Sequence, residues 1–226
     1  MNRRPLWTLA AGMALLAGVV IAPSASADPV FVTMFDGKTL DGWTANKPGG
    51  YEVKDGTIHS TGSGRGWLYY NKAQYGSFRW IFNVRQVKGN HKPTVLIWGT
   101  TNPIRDALSA IQFQPPNGGH WDYRPGHNNS GGKLFKSFPH PKWDAKKWAQ
   151  CEILGNQATG VARMACCPIP EGAETCKATE VLQFTDKTAA RVGPLAIQIH
   201  NSGINDEYKN LKVESPVADP TKLITT

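Results

Sequence analysis

The chain has 226 residues, a formal net charge of +8, 40% hydrophobic and 10% aromatic content, and four cysteines. That apolar and aromatic content excludes a disordered chain. The Lys and Arg residues are scattered rather than gathered into a basic stripe, so nucleic acid is not indicated as a partner, whereas an acidic glycan or an anionic cell wall is compatible with the charge.

The first element in chain order is a leader. Arg3 and Arg4 precede an almost wholly apolar run over residues 9–22, and the small residues of 23–27 offer a cleavage site after Ala27. Residues 1–27 therefore read as a signal peptide, and the protein as secreted. The apolar run falls short of the roughly 20 residues that span a bilayer, so no membrane span is expected once the leader is removed. Pro5-Leu6-Trp7 fits the twin-arginine pattern only loosely, which favours the ordinary secretory route. The mature chain suits one domain over residues 28–214, with 215–226 as a flexible tail that shows no periodicity.

Short β-rich runs separated by Gly, Pro, Asn and Asp fill that domain, and no long stretch has helical apolar spacing. Strands are predicted over residues 31–34, 51–54, 57–60, 67–70, 77–86, 94–99, 110–114, 148–154, 160–164, 180–184, 195–200 and 208–214. Within the fifth of these, Phe78, Trp80, Phe82 and Val84 alternate with mostly polar residues, as in a strand with one buried face, and Ile81 is the exception. So many strands in one domain require two packed antiparallel sheets, an all-β jelly-roll sandwich. Residues 115–141 read as one long loop, ordered because it is aromatic, and long loops of this kind usually carry function.

Cys151, Cys166, Cys167 and Cys176 lie close in sequence, and an oxidising compartment converts them to two disulfides. A hairpin turning at residues 155–160 brings Cys151 near Cys166 or Cys167, and the remaining partner closes onto Cys176. Adjacent Cys166-Cys167 lacks the two-residue spacer of a zinc site.

Phe35-Asp36-Gly37-Lys38-Thr39-Leu40-Asp41-Gly42-Trp43 and Tyr51-Glu52-Val53-Lys54-Asp55-Gly56-Thr57-Ile58 resemble the opening of the 3-keto-disaccharide hydrolase domain. The likeness continues through Tyr75-Gly76-Ser77-Phe78 and Lys147-Trp148-Ala149-Gln150-Cys151-Glu152, and ends in Leu195-Ala196-Ile197-Gln198-Ile199-His200-Asn201 with Tyr208-Lys209-Asn210-Leu211. The resemblance implies a concanavalin A-like jelly roll and a hydrolase or lyase acting on glycosides oxidised at carbon 3. A carbonyl there acidifies the carbon-2 proton and opens an elimination route to cleavage. The chain departs from the family pattern twice. Gly89-Asn90-His91-Lys92-Pro93 replaces an Asn-Ser-Gly segment leading to an Arg, and Ala110-Ile111-Gln112-Phe113-Gln114 lacks the usual Glu.

The candidate site residues fall in two places. His120-Trp121-Asp122-Tyr123-Arg124-Pro125-Gly126-His127 gathers imidazoles, a carboxylate, a guanidinium and aromatic rings. Trp121, Tyr123 and Arg124 suit sugar binding, and His120, Asp122 and His127 suit acid–base work. A bracing Asp122–Arg124 pair is the plain structural reading. His200, in the position of the family's strand-end His, is the other catalytic candidate, with Gln198 on its strand face and Asn201 as binding companions. Glu152 reads as a solvated outer-face residue, and Trp67, Trp80, Trp98, Trp143 and Trp148 as core plugs or sugar platforms. No cofactor and no compact metal-ligand spacing is evident. The expectation is a secreted glycosidic-bond-cleaving enzyme in which His200 and the 120–127 cluster share one hollow. The alternative is a carbohydrate-binding protein without turnover.

Overall fold

The computed structural model describes residues 28–103, 106–127, 133–189 and 191–226, so the expected leader, 1–27, lies outside the described residues. The strands, in chain order, are β1 (Val32–Thr33), β2 (Trp43–Ala45), β3 (Tyr51–Lys54), β4 (Thr57–Ser60) and β5 (Gly66–Tyr70). Next come β6 (Phe78–Lys88), β7 (Thr94–Ile97), β8 (Ile111–Gln114), β9 (Gly119–Asp122) and β10 (Phe135–Ser137). The last are β11 (Ala149–Asn156), β12 (Val161–Pro168), β13 (Thr179–Thr185), β14 (Ala196–Ile199) and β15 (Asn205–Glu214). Helical structure is limited to the 3-10 turns Ala107–Ser109 and Lys187–Ala189 among the described residues, and no helix is long and apolar enough to cross a membrane.

One sheet is nine-stranded and runs β10-β13-β12-β11-β6-β15-β4-β3, with β1 also paired to β15. The other is six-stranded and runs β2-β5-β14-β7-β8-β9. All pairings between named strands are antiparallel. The expected jelly-roll sandwich is therefore the observed fold. Each predicted strand has a counterpart, but the supposed loop over residues 115–141 contains β9 and β10.

Period-two alternation builds the core. Phe78, Trp80, Phe82 and Val84 of β6 face Val95, Ile97, Ile111, Phe113, Ile197 and Ile199 of the opposite sheet in one apolar cluster. Each such side chain contributes about 2 kcal/mol by leaving water. Ile81 breaks the alternation because it lies on the outer face, opposite Lys212 of β15.

The same alternation decides the disulfides. Cys166 lies directly opposite Cys151 with its side chain turned into the core, and the two are bonded. Cys167 must then point outward, where it bonds Cys176.

Residues 215–226 do not hang free, in contrast to the sequence-based expectation. They lie across the outer face of the nine-stranded sheet, where Glu152 accepts hydrogen bonds from the Ile224 and Thr225 amides. Arg79 bridges Glu152 at 2.9 Å and also pairs with Glu214, while donating to the Asp219 and Lys222 carbonyls. Glu152 is thus fully buried in an ion triad rather than solvated, because the tail brings Leu223 down onto Leu154 and Ala165 and seals the charges from water.

Candidate functional site

The outer face of the six-stranded sheet carries side chains that the core does not use. Gln198 projects outward between Ile197 and Ile199, and Gln112 does the same between Ile111 and Phe113. Trp67 lies opposite Gln198, and Trp121 lies opposite Gln112. Thr94, Leu96 and Ala196 form a low floor between these larger groups. Trp67 and Tyr69 rise on one side, with Trp121 and Tyr123 on the other.

The glutamines form a directed amide chain. Gln114 Nε2 donates to Gln112 Oε1 at 3.0 Å, and Gln112 Nε2 donates to Gln198 Oε1 at 2.5 Å. The chain ends on Gln198 Nε2, which is buried and has no hydrogen-bond partner among the described residues. Leaving such a donor unmade costs about 1–3 kcal/mol.

A strained turn covers part of the floor. Ala107, Leu108 and Ser109 have φ of 50°, 59° and 51°, a left-handed run that disfavours side chains with a Cβ by about 1–2 kcal/mol each. Burial of Ala107 and Leu108 against Leu96 and Ala196 offsets that cost, and Asp106 accepts from the Ala107 amide at 2.7 Å. Gly99 lets the turn sit this low, since a Cβ there would lie 2.8 Å from Leu108 O and 2.7 Å from Ala110 Cβ.

The turn delivers Asp106 to Arg65, and Arg65 ties the end of the face together. Its Nε pairs with the Asp106 carboxylate, Nη1 donates to the His200 carbonyl at 2.8 Å, and Nη2 donates to the Tyr123 hydroxyl at 2.7 Å. Sequence reasoning missed both Arg65 and His91. The available signals were an Arg set among Gly62, Gly64 and Gly66 before a Trp-bearing strand, and a His inside the segment that departs from the family pattern.

His91 lies flat on His200, with ring centroids 3.6 Å apart and planes 8° from parallel. Burial, then the neighbouring His91 and Arg65 charges, lower the His200 pKa to about 4 against weaker support from Asn201 and Asp106. Burial likewise lowers His91. His200 is therefore uncharged at neutral pH. Because the Asn201 carbonyl oxygen can only accept, His200 Nδ1 must donate across their 3.0 Å contact, which leaves the lone pair on Nε2.

The sheet divides the sequence-predicted residues. His200, Asn201, Gln198, Trp121 and Tyr123 belong to the outer face or its rim. His120 pairs with Phe113 on the core side and stacks on Phe135 with centroids 4.0 Å apart. Asp122 lies opposite Ile111, also on the core side, with both oxygens taken by Arg124. Arg124 adds Asp186 at 2.6 Å, and His127 Nδ1 lies 3.3 Å from Asp122. The single hollow expected for all of them is thus corrected. Successive strand residues point to opposite faces, and the bracing reading of Asp122 and Arg124 matches the geometry. Among the described residues, no group of three His, Cys, Asp or Glu side chains is placed to hold a metal.

Two antiparallel sheets with an amide-and-aromatic outer face define a lectin-type jelly roll. The family model of the 3-keto-alpha-glucoside-1,2-lyase-like domain matches residues 30–214, and the chain belongs to that family. No curated protein matches it. Among solved structures, it is similar to a provisionally described glycosyl hydrolase from Parabacteroides distasonis, at 15% identity and TM-score 0.57, covering 83% of this chain and 94% of that one. Lectin I-B4 from Griffonia simplicifolia is similar at 10% identity and TM-score 0.51, covering 82% and 98%. Winged bean acidic lectin, in complex with methyl-α-D-galactose, is similar at 8% identity and TM-score 0.53, covering 83% and 99%. These structural likenesses establish the fold.

Proposed function

We propose that this protein is an exported carbohydrate-active enzyme that binds a 3-keto-glycoside on the outer face of the six-stranded sheet and cleaves it by elimination, with His200 as base. The observation that carries the reading is Gln198 Nε2, without a partner among the described residues, two positions before an uncharged imidazole at the end of the same strand. Two residues of strand span about 6.6 Å, a distance that a sugar ring bridges, so a ring whose keto oxygen meets Gln198 Nε2 can offer its adjacent carbon–hydrogen bond to His200.

His200 Nε2 takes the carbon-2 proton, and the electron pair passes toward carbon 3, where the Gln198 amide stabilises the enolate oxygen. Collapse of the enolate forms the carbon-1–carbon-2 double bond and expels the glycosidic oxygen with its electron pair. The imidazolium then returns the proton to that oxygen. Trp67 and Trp121 offer flat faces to the sugar's C–H surfaces. The family membership and the two disulfides, which fit an oxidising compartment, support an extracellular carbohydrate role.

One observation favours a second reading, sugar binding without turnover. The segment Ala110-Ile111-Gln112-Phe113-Gln114 offers no Glu where the family's strand usually carries one, and the carboxylate at the rim, Asp106, is already paired with Arg65. Incubating the protein with 3-keto-glucosides and their unoxidised parents, and measuring released reducing sugar, separates the two. The enzyme reading expects cleavage of the keto compounds alone, lowered about 100-fold or more by His200→Ala. Because the active imidazole is the neutral form, kcat/KM is expected to hold at neutral pH and to fall as pH drops through about 4. Tight sugar binding with no cleavage at any pH would establish the lectin reading instead.

A further inference from the structure

The nine-stranded sheet has its own chemistry on the opposite side of the molecule. Asn83 and Arg85 point outward from β6, Lys209 of β15 lies directly opposite Asn83, and Trp148 precedes β11 beside Arg85. These residues line a cavity of about 910 Å³ walled by residues 168–174, inside the loop that Cys167–Cys176 closes. A hollow of about 390 Å³ continues it and shares Asn83, Glu174 and Asn210. Another, of about 290 Å³, shares Ile81, Gln150 and Lys212 with the second. Together they form a furrow across β6, β11 and β15.

Its charge is predominantly positive. Lys209 Nζ lies 4.5 Å from the Trp148 ring centre and the Arg85 guanidinium 4.7 Å, while Lys212 Nζ lies 4.7 Å from the Phe31 ring centre. An aromatic face holds a cation without neutralising it. Arg85 also pairs with Glu207 at 2.7 Å, but the lysines keep their charge for a ligand. With exposed Lys146 and Lys147 at the mouth, the cations outnumber Glu171 and Glu174. Between them the floor presents neutral amides, Asn83, Gln150 and Asn210, which both donate and accept. Asn210 has φ of 55° at the point where β15 slips register between Lys209 and Lys212, a bulge that redirects its amide.

We propose that this furrow is a glycan site that holds a strand of acidic polysaccharide, on the side of the molecule away from the six-stranded sheet. Alternating cations and amides match the alternating carboxylates and hydroxyls of a uronate chain, and the succession of hollows suits a linear polymer. The proposal does not rest on the reaction assigned to the six-stranded sheet.

The test is calorimetric titration of the protein with an oligogalacturonide, its methyl ester and inorganic polyphosphate, at low and high salt. The acidic oligosaccharide is expected to bind, with affinity falling about tenfold or more as salt screens the lysines. Lys209→Gln combined with Lys147→Gln is expected to weaken binding about tenfold, leaving melting temperature and 3-keto-glucoside cleavage or binding unchanged. Equal binding of the methyl ester, equal binding of polyphosphate, or an unaffected double variant would each overturn the proposal.

Discussion

Asp206 offers a test of the interior that supports the histidine pair. It lies on the core-side edge of β15, 1% exposed, where its Oδ1 receives only a 3.5 Å contact from Gln86 Nε2. The same Gln86 amide donates to the His91 carbonyl, so this corner backs directly onto the His91–His200 stack. Burial, weakly opposed by the Gln86 contact, raises the Asp206 pKa from 3.8 to about 8. The folded protein therefore keeps a proton that the unfolded chain releases above about pH 4. A group raised in this way contributes stability that is fully present below its unfolded pKa and is lost as pH climbs through its folded pKa. At about 1.4 kcal/mol per unit, the loss between pH 3.8 and 7 has an upper bound of about 4 kcal/mol, and relaxation around the site brings the working figure to about 2–4 kcal/mol.

Asp206→Asn keeps the shape of the protonated acid and removes the titration. Urea unfolding of the parent and the variant is expected to give nearly equal stabilities near about pH 4. The variant should become about 2–4 kcal/mol more stable by neutral pH. A stability difference that does not change with pH, or a variant that loses stability as pH rises, would refute the reasoning. Either result would mean that the carboxylate is ionised and satisfied in the folded state.

The nine-stranded sheet yields two further expected outcomes. Arg79→Leu leaves Glu152 and Glu214 buried without their cation and is expected to cost about 3–5 kcal/mol in thermal or urea unfolding; the tail should also become cleavable by proteases. Mild reduction followed by alkylation and mass spectrometry is expected to label Cys167 and Cys176 before Cys151 and Cys166, because Cys176 is only partly buried whereas the other bridge is sealed in the core. Opening the nine-residue separation of Cys167–Cys176 should lower stability by roughly 2–3 kcal/mol.

The fold was legible because its strands obey the period-two rule, and β6 displays it over a long run. The short strands β2, β9 and β10 were not legible, since three or four residues carry too little alternation and two of these strands lie in Gly-, Asn- and aromatic-rich sequence. Strand parity also explains the half-read site. His120 and Asp122 are sequence neighbours of Trp121, yet they point away from it. The tail was missed because its anchorage is a long-range charge: nothing within residues 215–226 announces that Arg79 and Glu152 wait beneath them. Glu152 was misread for the same reason, as a lone carboxylate in a strand shows neither its cation nor its cover.

Several departures from local rules lie on the outer face of the six-stranded sheet or at its rim. A left-handed run at Ala107–Ser109 is held down by Leu108 and by the missing side chain of Gly99, and it brings Asp106 to Arg65. Gln198 ends a chain of amides with an unmade hydrogen bond, and two imidazoles are stacked where burial keeps His200 uncharged. Each feature costs free energy, and none is needed to close the sandwich, whose core lies on the other side of these strands. Costs concentrated in this way persist where binding offsets them. The Arg79 triad is the contrasting case: its charges are fully satisfied and hold the tail in place. Buried charge alone therefore does not separate a structural site from a ligand site on this protein, and the reading proposed for the other face rests on an unmet donor near an uncharged imidazole.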